Sequence, residues 1–138
     1  MLPARQSFIT TWTVRWALLK LIPSMDAGVL DYMAEHYDAV IIESFGVGGI
    51  PARETGDFHS AIERLVRSGK TLVMTTQVTN EGSNMSVYEV GKKIKREFGL
   101  LEAYDMTLEA AVTKIMWILT HDKGTCKSKR ALLPDRQP

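Results

Sequence analysis

Short, largely apolar runs without polar alternation at residues 16–22, 39–45 and 71–75 are separated by stretches whose apolar residues recur every three or four positions, and this succession limits the fold more than any other feature. A run that is continuous rather than alternating in polarity belongs to a strand buried on both faces, as in a parallel sheet covered by helices. The intervening stretches are the covers. Val29, Leu30, Met33 and Tyr37 form one stripe, entered at Ser24 or Asp26, whose side chains suit a helix N-cap. Phe58, Ile62, Leu65 and Val66 form a second, preceded by Asp57 and stopped by Gly69, a residue that accepts the left-handed conformation common just past a helix end.

From Ser86 the positions Val87, Val90, Ile94 and Phe98 give a third stripe, with Lys92, Lys93, Lys95 and Arg96 on its other side and Gly99 after it. Residues 100–103 supply a short fourth strand, and Thr107 caps a fourth helix carrying Leu108, Ala111, Val112, Ile115 and Leu119. The pattern predicts an α/β fold of three layers, with a four-stranded, mostly parallel sheet and about four helices joined by right-handed crossovers, flavodoxin-like or Rossmann-like. One α/β domain is expected at 17–120, between a poorly patterned segment at 1–16 and a flexible basic tail at 121–138 that holds Lys127, Lys129 and Arg130.

Charge selects no partner. The chain carries 17 Lys and Arg against 16 Asp and Glu, so no net field draws in nucleic acid or an anionic membrane, and the basic group at 92–96 lacks the interleaved aromatics that stack on bases. No run reaches the ~18 apolar residues of a membrane span, and the first residues lack the apolar core of a signal peptide. The single cysteine, Cys126, has no internal partner, which fits a reducing cytoplasm. Neither it nor His36, His59 and His121 stands at metal-ligand spacing, so no metal and no cofactor is expected.

In a doubly wound sheet ligands gather beyond the carboxyl ends of the strands, near the place where strand order reverses. Two polar, glycine-bearing loops fall there, at 44–51 and 77–85, and Ser44, Gly46, Gly48, Gln77 and Asn84 are their candidate ligand-edge residues. Gly46, Gly48 and Gly49 are read first as a tight turn. A dinucleotide site is the sharper alternative, but the glycine spacing is incomplete and Pro51 interrupts the helix start that would cradle a pyrophosphate.

Taken in order, Ala-Leu-Leu-Lys-Leu-Ile-Pro at 17–23, Ala-Val-Ile-Ile-Glu-Ser-Phe-Gly-Val-Gly-Gly-Ile-Pro at 39–51, Thr-Thr-Gln-Val-Thr-Asn-Glu-Gly at 75–82, Val-Tyr-Glu-Val-Gly at 87–91 and Tyr-Asp-Met-Thr-Leu-Glu-Ala at 104–110 resemble the carboxy-terminal domain of cytoplasmic-type (type I) bacterial L-asparaginases. The resemblance implies hydrolysis of L-asparagine to L-aspartate and ammonia through a threonine acyl-enzyme, in a homodimer whose carboxy-terminal domains build the interface and lend contacts to the partner's active site. Tyr88 is the candidate for such an in-trans contact. The resemblance also implies an effector site in some relatives, with an arginine where this chain has Glu43 and a cysteine where it has Val78.

The family's nucleophile and its Thr-Asp-Lys set belong to an amino-terminal domain, in Thr-Gly-Gly-Thr and Thr-Asp contexts, and neither occurs in this sequence. Activating a hydroxyl needs a positioned base and an oxyanion site. Thr75, Thr76, Thr79 and Thr107 do not supply them, so no catalytic residue is assigned and the chain is expected to be inactive alone, with an asparaginase amino-terminal domain and L-asparagine as partners. Family members continue beyond the fourth helix in a pattern that this basic, proline-containing tail does not follow, which suggests a fragment. The alternatives are the equivalent domain of the archaeal glutamyl-tRNA amidotransferase and a free-standing flavodoxin-like binding module.

Overall fold

The computed structural model describes residues 14–51, 57–87, 89–98 and 100–121. Their elements run β1 (Trp16–Lys20), α1 (Gly28–His36), β2 (Ala39–Ser44), α2 (Phe58–Arg67), β3 (Thr71–Thr76), a 3-10 turn (Met85–Val87), α3 (Glu89–Phe98), β4 (Leu101–Glu102) and α4 (Leu108–His121). The strands form one four-stranded sheet in the order β1-β2-β3-β4, and every pairing is parallel. Residues 122–138 of the basic tail fall outside the described residues, as do residues 1–13 of the N-terminal segment, and His121, expected in the tail, is instead the last residue of α4.

Strand β2 shows why its apolar run is unbroken. Val40 and Ile42 face one side with Leu19, Leu72 and Met74, where Leu30 of α1 and Phe58, Ala61, Ile62 and Leu65 of α2 cover them. Ala39 and Ile41 face the other side with Val73 and Leu101, beneath Ala111, Ile115 and Ile118 of α4. Side chains alternate faces along a strand, so the covered stretch Ala39–Ile42 is apolar on both sides, and polar residues enter only at its carboxyl end, at Glu43 and Ser44. The sheet is the middle of three layers.

Each crossover adds its strand beside the previous one, so strand order does not reverse anywhere in this sheet. The expected crevice at a reversal point is therefore absent among the described strands, and any site must be built from the loops themselves. Boundaries shift in three further places. β1 stops at Lys20, and Ile22, ahead of Pro23, is 55% exposed. The N-cap of α1 is Ala27, which makes no side-chain cap bond, while the Asp26 carboxylate one residue earlier accepts from the Gly28 amide at 2.6 Å. Helix α3 begins at Glu89 rather than Ser86, because Asn84 Oδ1 takes the Ser86 amide at 3.0 Å and the Asn84 carbonyl takes that of Val87 at 3.2 Å. Both bonds close a tight turn, and they leave Val87 56% exposed instead of in the core.

The other caps follow the sequence. Asp57 Oδ1 accepts from the Ser60 amide at 3.1 Å to open α2, and Gly69, at φ +80°, follows its end. Thr107 Oγ1 accepts from the Ala110 amide at 3.3 Å to open α4. Arg64 of α2 forms a two-pronged bond to Asp31 of α1, Nε to Oδ1 at 2.9 Å and Nη2 to Oδ2 at 2.8 Å. That hydrogen bond to Arg64 outweighs partial burial and holds the Asp31 carboxyl below its ordinary value.

Candidate functional site

The loops after β2 and β3 are stitched into one edge. Ser44, fully buried, donates from Oγ to the Thr75 carbonyl at 2.7 Å, and its own carbonyl accepts the Gln77 amide at 3.1 Å. Thr76 Oγ1 donates to the Gly46 carbonyl and accepts the Val78 amide at 3.0 Å. Gln77 reaches furthest, since its Nε2 donates to the carbonyls of Leu21 at 2.7 Å and Glu43 at 2.9 Å, joining the ends of β1, β2 and β3. Glu43 and Val78 thus lie against the same three strand ends.

The glycine loop closes on itself. Phe45 donates to the Gly49 carbonyl at 2.9 Å, while the amides of Gly48 and Gly49 donate back to the Phe45 carbonyl at 3.1 and 2.7 Å. Those two amides are spent inside the turn instead of facing a phosphate, and the start of α2 is occupied by the Asp57 carboxylate; both facts favour the tight-turn reading over the dinucleotide one. Gly48, at φ +141°, is required by proximity as well as by conformation, because a Cβ there would stand 3.1 Å from Met85 Cα. The Asn84 amide donates to the Val47 carbonyl at 2.6 Å. Ser44, Gly46, Gly48, Gln77 and Asn84 are therefore brought together, with Gly46 exposed and Gln77 and Asn84 half-buried, whereas the hydroxyl of Ser44 faces inward to β3. Tyr88 lies outside the described residues.

A buried ionic cluster stands beside this edge, and periodicity alone does not reveal it. Glu102, 2% exposed, accepts the Met85 amide on Oε1 at 2.6 Å and the Lys95 ammonium on Oε2 at 2.9 Å, and Lys95 Nζ also bonds Tyr104 Oη at 2.8 Å. Burial by itself lowers the Lys95 pKa, but the bonds to Tyr104 and Glu102 outweigh it and the net displacement is upward. The signal was a carboxylate inside an apolar run, Leu-Leu-Glu-Ala at 100–103, since a buried Glu is almost always paired. Nearby, Ser83 Oγ is buried with no hydrogen-bond partner among the described residues, although the Ser83 amide donates to the Tyr104 carbonyl at 2.8 Å.

The threonines are otherwise engaged. Thr76 Oγ1 serves the Gly46 loop and Thr107 Oγ1 caps α4, while Thr75 is buried in β3 and Thr79 is exposed. A groove of about 290 Å³, lined in part by Asp38, Lys70, Thr71 and Leu119, lies at the amino ends of β2 and β3, opposite the loops. Asp38 there is matched by Lys70 at 3.9 Å and Arg15 at 3.7 Å. Asp38 is thus paired within the protein, and the loop edge remains the better candidate. No helix among the described residues is long and apolar enough to cross a membrane.

A three-layer α/β domain with both polar loops at the carboxyl ends of a sequentially ordered parallel sheet defines the class, and sequence comparison supplies the family. Residues 15–132 match the Glutaminase/Asparaginase C-terminal domain, and the chain belongs to that family. It is 37% identical over 105 residues to an L-asparaginase of Thermococcus kodakarensis, covering 76% of this chain and 31% of the relative. It is 32% identical over 118 residues to a glutamyl-tRNA(Gln) amidotransferase subunit of Pyrococcus furiosus, covering 85% of this chain and 26% of the relative. The chain thus spans about a third or less of these relatives. The solved structure of the thermostable L-asparaginase from T. kodakarensis superposes with a TM-score of 0.78 at 33% identity, over 88% of this chain and 36% of that one. L-asparaginase I from Vibrio cholerae shares the fold at TM-score 0.71 and 21% identity, over 88% of this chain and 35% of that one.

Proposed function

We propose that this chain serves as the carboxy-terminal domain of a cytoplasmic L-asparaginase of the type I kind, supplying scaffold, dimer interface and in-trans contacts for hydrolysis of L-asparagine to L-aspartate and ammonia. The observation that carries the reading is the 37% identity to the T. kodakarensis L-asparaginase across a domain whose two polar loops are bonded into one edge. Ser44 and Gln77 hold that edge rigid, Asn84 presents an amide group on it, and Tyr88 is the residue proposed to reach the partner's substrate. Glu43 and Val78 mark the effector-site positions, where an acid and a small apolar residue would not bind an asparagine carboxylate as an arginine and a cysteine would.

On this reading the catalytic nucleophile comes from an amino-terminal domain, as the family resemblance implies, while Thr76 Oγ1 braces the Gly46 loop and Thr107 Oγ1 caps α4. Leu18, Ile22 and Trp117 are 39%, 55% and 50% exposed, and they furnish apolar area for a docking domain and a second copy. A glutamyl-tRNA amidotransferase domain is the second reading, favoured by the similarity to the P. furiosus protein over a longer stretch of this chain.

The reading is tested by mixing the purified chain with the separately produced amino-terminal portion of the T. kodakarensis L-asparaginase and measuring ammonia released from L-asparagine. Release by the mixture but by neither part is expected, and Tyr88→Phe should keep assembly yet reduce turnover by about ten-fold or more. Ammonia release by the chain alone defeats the assignment of the nucleophile, and unchanged kinetics in Tyr88→Phe defeat its in-trans role.

A further inference from the structure

We infer that Glu102 is a positioning residue whose buried carboxylate sets where the Asn84 edge of the loop after β3 stands. Three consecutive loop amides are pinned to three separate places: Ser83 to the Tyr104 carbonyl at 2.8 Å, Asn84 to the Val47 carbonyl at 2.6 Å, and Met85 to Glu102 Oε1 at 2.6 Å. Only the last of these acceptors is a side chain. Met85 is fully buried in the larger core cluster, so its backbone cannot shift without moving Asn84 next to it.

A desolvated carboxylate is a costly way to hold one amide. Leu100, Leu101 and Ala103 around it are all buried and apolar, and an apolar residue at position 102 would continue them at lower cost, since buried ion pairs seldom exceed well-packed hydrophobic residues in stability. What the charge adds is direction. Oε1 points to the loop and Oε2 to Lys95 of α3, and Lys95 is in turn braced by Tyr104, so the carboxylate fixes the loop relative to the helix that follows it. The Ser83 hydroxyl fits this account: backbone placement is satisfied at all three positions, while a neighbouring buried side chain is not.

The catalytic meaning of this inference rests on the function proposed above, but its geometry is tested without turnover. Two variants remove the charge pair in different ways: E102Q/K95M keeps an acceptor for the Met85 amide, and E102L/K95M does not. Amide hydrogen exchange of the full chain, read residue by residue, should show the Met85 and Asn84 amides exchanging about ten-fold or more faster in E102L/K95M, with protection restored in E102Q/K95M and the Val40, Ile42 and Val73 amides little changed. Equal exchange in the two variants, or a parallel change at every amide, overturns the positioning role. Should E102L/K95M fail to fold, E102Q alone carries the test: the Met85 amide resonance should shift more than those of Val40 and Val73, and the absence of a selective shift overturns the inference. Because neither readout needs an active enzyme, reconstitution can fail while the clamp is upheld, and the clamp can fail while reconstitution succeeds.

Discussion

Substituting Gly91 by alanine sets two opposed effects against each other, and the structure decides the sign. Gly91 lies within α3, where exchanging glycine for alanine ordinarily stabilises by about 1 kcal/mol through helix propensity. At this position the 3-10 turn folds back on the helix, and an added Cβ would overlap the Met85 carbonyl oxygen, with the Met85 carbonyl carbon at 3.1 Å and its Cβ at 3.2 Å. The obstacle is backbone, not the free end of a side chain. Met85 cannot recede, because it is fully buried and its amide is held by Glu102. Because backbone must move, the overpacking cost falls at the upper end of the usual range, roughly 2–3 kcal/mol against the propensity gain of about 1 kcal/mol, and the strain falls on the segment carrying Asn84. Urea denaturation followed by circular dichroism should give a lower midpoint for Gly91→Ala at an unchanged slope, a net destabilisation of about 1–2 kcal/mol. A raised midpoint would refute the close approach of turn and helix.

Leu65→Ala removes a fully buried side chain from between α2 and the sheet, and a loss of about 2–5 kcal/mol in unfolding free energy is expected; a loss well below that range would place Leu65 outside the core. The Asp31 carboxyl, depressed mainly by its hydrogen bond to Arg64, contributes stability that is present above the unfolded carboxyl value of about 3.9 and disappears as pH falls through the lower folded value. Asp31→Asn should therefore lower the unfolding midpoint slightly at pH 7 and flatten its fall below about pH 4. The effect is small because the side chains are 46% and 56% exposed, and an unaltered acid limb would remove the pair from the account.

The layers were legible because β2 and β3 are covered on both faces: Val40, Ile41, Ile42, Val73 and Met74 leave no polar position that would disguise the strand. Caps were legible where a short polar side chain stood directly before the stripe, as at Asp57 and Thr107. Strand order was not, since periodicity identifies a strand without naming its neighbours, and the expected reversal is replaced by a sequential sheet. The start of α3 was misplaced because Val87 keeps helical spacing while Asn84 diverts the chain into a tight turn. Of the candidate site, the two loops could be read from their glycines and amides, but the bonds of Gln77 to Leu21 and Glu43 and the Glu102–Lys95 pair join residues that no spacing rule links.

The central claim is that this chain can stand as the carboxy-terminal domain of an asparaginase, and a graft tests it most directly. Residues 15–132 would replace the matching domain of the T. kodakarensis L-asparaginase, the rest of that enzyme being kept, and ammonia release from L-asparagine would be measured. The account predicts a folded chimera that hydrolyses L-asparagine and whose turnover falls about ten-fold or more with Tyr88→Phe. A folded, assembled chimera with no hydrolysis of L-asparagine would contradict it.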